Sequence, residues 1–200
     1  KGNTARAAVF QNNGDGWDAG ELLSGPSKAS AKFPLIAPIR NDGNNWLVYS
    51  DHESGNKGEW LRAHRYSGTS LVEDQDIASR FDWPGDFSPG VADLNGDGEL
   101  EIWFTSYHGS PSAHLRRHVW DSSSGTYPGV EIKDGGSNFE PFGEPLAGDF
   151  LGDGGETLIW APQSKQIDLV TYTPGSGVHD HTSSLIYTAP EKMKSYDVGE

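Results

Sequence analysis

Between Gly90 and Phe104 the chain reads GVADLNGDGELEIWF, a short apolar run, a knot of Asp, Asn and Gly, then a second apolar run rich in β-branched and aromatic residues. Asp93, Asn95 and Asp97 stand at alternate positions, Gly98 permits a sharp bend, and Glu101 falls at the ninth position counted from Asp93. That spacing lets three side-chain oxygens, the Glu99 carbonyl and a final carboxylate converge on one hard cation, as calcium coordination requires. An ordinary Asp/Asn/Gly turn between two strands would use the same residue types.

Working outward, the Asp-Gly pair recurs at Asp42-Gly43, Asp97-Gly98 and Asp153-Gly154, in steps of 55 and 56 residues, each time followed by a β-rich run ending in aromatics. A second landmark, an aromatic before a Gly/Ser/Asn-rich turn, recurs at Phe10, Tyr66, Trp120 and Tyr172 in steps of 56, 54 and 52. Two landmarks sharing one period, with short strands bounded by Gly, Pro, Asn and Asp, predict an all-β chain built as a β-propeller of four-stranded blades of about 50–56 residues. Three full blades are expected at 33–80, 87–138 and 144–190, with a partial blade at 1–25 and a partial strand at 194–200. The two ends together fall one strand short of a blade. They would seal a small ring between them, or the ring would be completed by a second chain.

Composition narrows the function. A formal charge of −14 excludes a basic face for phosphate backbones, so no nucleic-acid role is expected. No apolar run approaches the roughly eighteen residues of a spanning helix, so no membrane insertion is expected. Cysteine is absent, which removes disulfides, thiolate metal sites and a cysteine nucleophile. With 26 Gly, 12 Pro, 7 Trp and 7 Tyr, the chain is rich in turns and aromatics, as many short strands require. The sequence opens on Lys1, which fits a mature secreted or excised chain and sets the expectation of an extracellular protein, although no Asn-x-Ser/Thr acceptor is present.

GVADLNGDGELEIWF, the weaker PLAGDFLGDGGETLIWA and the VFQNNGDGW stretch resemble the FG-GAP/VCBS repeat family of integrin-alpha-like β-propellers. The resemblance covers most of the chain as a repeat, with one turn a full match. It implies a structural Ca2+ joining strands A and B of a blade at Asp93, Asn95, Asp97, Glu99 and Glu101. A weaker second site would lie at Asp149 and Asp153, where Leu151 and Thr157 replace the third and ninth ligands. The Asp42 turn lacks the ligand ladder and reads as a plain turn.

The family hosts lectins, polysaccharide lyases and adhesion modules, and all three readings stand. Trp46, Trp103 and Trp160 fall in second-strand positions and are expected to pack between blades. Trp17, Trp60, Trp83 and Trp120 lie nearer strand ends, where a ring can stack on the C–H face of a sugar, so a carbohydrate or glycoconjugate partner is the leading expectation. For a lyase, Tyr107 or His108 would abstract a proton beside a uronate while Arg117 neutralises its carboxylate. The alternation of His114, Arg116 and His118 also fits one exposed strand face, and His179 to His181 would form a turn with weak metal affinity. A protein–protein adhesion module is the third reading.

Overall fold

The computed structural model describes residues 8–9, 14–16, 21–22, 29–53, 59–67, 71–78, 88–106, 114–134, 145–163, 166–174 and 180–189. Among them there is no helix, and none is therefore long and apolar enough to cross a membrane. Two short strands, β1 (Ala8–Val9) and β2 (Glu21–Leu22), pair antiparallel. Three four-stranded antiparallel sheets follow. The first is β3 (Ala29–Ala37), β4 (Trp46–Glu53), β5 (Glu59–Tyr66) and β6 (Leu71–Ala78). The second is β7 (Gly90–Ala92), β8 (Glu101–Ser106), β9 (His114–His118) and β10 (Gly129–Asp134). The third is β11 (Leu146–Gly148), β12 (Thr157–Gln163), β13 (Gln166–Tyr172) and β14 (His181–Thr188). Within each four-stranded sheet every strand pairs with its neighbour in sequence, giving three up-and-down meanders.

Strand pairing fixes which residues are equivalent between sheets. Ala37 opposes Trp46, Ala92 opposes Glu101 and Gly148 opposes Thr157, so Trp46, Glu101 and Thr157 begin the second strand of each sheet. The three tryptophans expected in second strands are there and all fully buried, at different places along them: Trp46 is the first residue of its strand, Trp103 the third and Trp160 the fourth. Because side chains alternate across a strand, Trp103 and Trp160 therefore point to opposite faces of their sheets.

That alternation decides the packing. Trp46 and Val48, on the forward face of the first sheet, share a cluster with Ile102 and Phe104 on the rear face of the second. Trp103 and Leu115, on the forward face of the second, share another with Leu158, Trp160 and Val170 on the rear face of the third. The same pair of faces is used at both junctions, and the central strand β8 is buried along its whole length because a sheet lies on each side of it. This explains IWF at 102–104 as a continuous apolar run rather than an apolar/polar alternation. Each large side chain so buried contributes about 2 kcal/mol.

Polar links cross both junctions. Arg40 lies with its guanidinium 3.8 Å from the Trp46 ring and 3.6 Å from the Trp120 ring, and its Nε donates to Tyr127 Oη at 3.0 Å. Gln75 Nε2 donates to the Gly125 carbonyl at 2.9 Å. Between the second and third sheets, Trp160 Nε1 donates to Thr105 Oγ1 at 3.0 Å. There β7 also approaches β11 so closely that a Cβ added at Gly90 would stand 2.8 Å from the Pro145 carbonyl oxygen.

Candidate functional site

The acidic turn between β7 and β8 is organised by its own backbone. Asp93 accepts from the Asp97 N–H at 3.1 Å and from the Gly98 N–H at 2.8 Å, one on each carboxylate oxygen. Asn95 Oδ1 accepts from Asp97 N–H at 2.9 Å, and Asp97 Oδ1 accepts from Glu99 N–H at 2.8 Å. Asn95 Nδ2 donates to Asp97 Oδ2 at 2.8 Å, which joins the two side chains. Gly98 adopts φ +86°, a left-handed conformation that a side chain disfavours.

The turn between β11 and β12 repeats the pattern. Asp149 accepts from Asp153 N–H at 3.1 Å and Gly154 N–H at 3.0 Å, and Asp153 from Gly155 N–H at 3.0 Å. Leu151, in the place of Asn95, is exposed, and Thr157, in the place of Glu101, donates its hydroxyl to the Gly148 carbonyl at 3.0 Å. At Asp42 the turn is reduced further: its carboxylate accepts the Asn44 N–H at 2.9 Å, and the Asn44 amide donates to the Asp42 carbonyl at 3.2 Å. The two acidic turns touch one another, since Glu156 Oε2 accepts from the Asp93 N–H at 2.6 Å.

Glu101 is 1 % exposed and faces the junction between the second and third sheets. Its Oε2 accepts from Leu94 N–H at 3.0 Å, its Oε1 accepts from Arg117 Nη1 at 3.1 Å, and His181 Nε2 lies 3.9 Å from Oε1. Burial pushes its carboxyl above the usual range, with the Leu94 N–H and Arg117 opposing and Asp97 reinforcing that shift. Glu101 thus ties the acidic turn to β9, with His181 of β14 packed beside it.

Among the described residues no group of three or more His, Cys, Asp and Glu side chains is gathered as for a metal ion. The donor chemistry of the β7–β8 turn nevertheless suits a hard cation. Asp93, Asn95 and Asp97 each present side-chain oxygen, and an oxygen accepting one N–H keeps a second lone pair. Any ion drawing on Glu101 competes with Arg117 for it.

The structure relocates several residues singled out from sequence. Arg117 Nη1 donates to the buried Glu101 at 3.1 Å, and its side chain is 19 % exposed. One face of Trp120 is covered by Arg40, and its edge packs on Tyr127 with ring centroids 5.0 Å apart. Trp60 lies on β5, while Trp17, Trp83, Tyr107 and His108 lie outside the described residues.

His114, Arg116 and His118 do share one strand face, but it is not an exposed one, because that face turns toward the first sheet. His114 Nδ1 is 3.1 Å from Glu131, Arg116 Nε donates to Ser106 Oγ at 2.9 Å, and buried His118 donates through Nδ1 to the Tyr127 carbonyl at 2.9 Å. The His181 ring is buried at the head of β14, with ring centroids 5.2 Å from Trp103 and 5.4 Å from Tyr172, so it belongs to the sheet junction and not to a turn. Arg40 and Glu156 went unnoticed in the sequence, since neither sits in a motif and both act across sheets.

No protein-family model matches the chain, and neither a curated protein nor a solved structure matches it.

Proposed function

We propose that the three sheets are consecutive blades of a secreted β-propeller of the FG-GAP/VCBS type. In this reading the β7–β8 turn is held by calcium, and the chain works as a carbohydrate-binding module rather than as a lyase. The choice of binding over catalysis is carried by Arg117. A lyase arginine must meet a uronate carboxylate, whereas this one is paired with the buried Glu101 at 3.1 Å. The propeller reading is supported by the repeated use of one forward and one rear face, the relation that stacks blades around an axis. Asp93, Asn95 and Asp97 would hold the ion, which would offset the repulsion of carboxylates crowded in one turn. Sugar is favoured as ligand by the tryptophans set among Asn, Asp and Arg at Trp17, Trp60 and Trp83.

The decisive experiment pairs a glycan array with a turnover assay on acidic polysaccharides. Array binding without ultraviolet absorbance from unsaturated uronates is expected. Absorbance growing with time would overturn the binding reading in favour of a lyase, and silence in both assays would overturn the carbohydrate reading altogether.

A further inference from the structure

The outer strands of the three sheets differ in charge. β6, LVEDQDIA, carries Glu73, Asp74 and Asp76, and β10, GVEIKD, carries Glu131, Lys133 and Asp134. Charges on an outer strand discourage a second chain from pairing with its free N–H and C=O groups. β14, HTSSLIYT, has no Asp, Glu, Lys or Arg along its 8 residues. Its ladder with β13 is regular from His181 to Leu185, and Ile186 is then an extra residue, because Leu185 opposes Asp168 while Tyr187 opposes Ile167. Leu185, Ile186 and Tyr187 are exposed at 54, 52 and 49 %. Apolar residues on β6 behave differently, since Ile77 and Ala78 are buried. Among the described residues, no strand pairs with the outer edge of β14.

We propose that β14 is a self-association edge, pairing antiparallel with β14 of a second copy so that the third sheet continues across a two-fold axis. Two features single out a second copy as the occupant. A chain of net charge −14 repels its own copies over most of its surface, and the edge without charges is where two of them can approach. Two-fold pairing is also self-complementary: with the axis at Ile186, uncharged edge meets uncharged edge and Leu185, Ile186 and Tyr187 meet their counterparts. A basic partner would be drawn instead to the acidic β6. The dimer would present two copies of any ligand site on one rigid sheet, which raises avidity toward repeated ligands without new contacts. The inference stands on β14 alone and needs neither calcium nor a sugar.

Sedimentation equilibrium on the full chain over a range of concentrations tests it. The mass should rise from 21.7 kDa toward twice that value, and Ile186→Lys should hold it at 21.7 kDa, with the melting temperature of wild type at dilutions where both are monomeric. A wild-type mass fixed at 21.7 kDa, or an Ile186→Lys chain that dimerises like wild type, would overturn the proposal. Should that variant fail to fold, amide exchange on the wild-type chain decides. Slower exchange along β14 in concentrated than in dilute solution supports the edge, and equal exchange overturns it.

Discussion

Thr105 and Ser50 occupy the same place in their sheets, each the fifth residue of its second strand, yet their hydroxyls meet different partners. Thr105 Oγ1 receives the indole N–H of Trp160 from the next sheet. For Ser50 the corresponding position is held by Phe104, whose side chain has no N–H, and among the described residues Ser50 Oγ is buried without a hydrogen-bond partner. Thr105→Val should therefore cost about 1–3 kcal/mol by orphaning the indole, whereas Ser50→Ala should be neutral or stabilising. Chemical denaturation of both variants checks this contrast, and equal losses would contradict it. Arg117 provides a larger effect of the same kind. Arg117→Met leaves the buried Glu101 carboxyl without its guanidinium partner, with an expected loss of about 3 kcal/mol, most of it recovered by adding Glu101→Gln.

At the scale of elements, the two acidic turns share one hydrogen-bond pattern. Gly98 and Gly154 sit at φ +86° and +87° with nothing near their missing Cβ, so an alanine there meets backbone strain and no clash. Each Gly→Ala change should lose about 1 kcal/mol, measurable as a fall in melting temperature, and similar losses would show that the two turns share one geometry. The β9–β10 connection offers a pH test. Hydrogen bonds from Ser123 and Ser124 hold Asp121 well below its ordinary value of 3.8, at about 2. A depressed folded-state value means that the turn's contribution is present above 3.8 and disappears as pH falls toward about 2. The melting temperatures of wild type and Asp121→Ala should accordingly converge on acidification through that window; a gap that stays constant would refute the assignment.

At the scale of the whole molecule, the junctions between sheets decide the outcome. If calcium fills the β7–β8 turn, chelation should lower the melting temperature of the wild type and leave Asp97→Ala, already lower, unaffected by calcium. Identical wild-type curves with calcium and with chelator would remove the metal from the account. Glu156→Gln, which weakens the contact at Asp93, should lower stability even in chelator, because that bond links two sheets whether or not an ion is present.

The all-β class and the run of short antiparallel strands were legible in the sequence, because alternation and turn residues are local properties written in adjacent positions. The Asp42, Asp97 and Asp153 turns do precede the second strand of each sheet, as their spacing predicts. Tertiary structure alone decided the rest. Whether Glu101 serves the turn or the sheet junction depends on Arg117 and His181, which reach it from β9 and β14. Whether Trp120 offers its ring to a ligand depends on Arg40, distant in sequence and stacked on it. Side-chain spacing along a strand says which face a residue takes, but only the packing of one sheet on another says whether that face meets water, a charge or a second sheet, and with it what the residue is free to do.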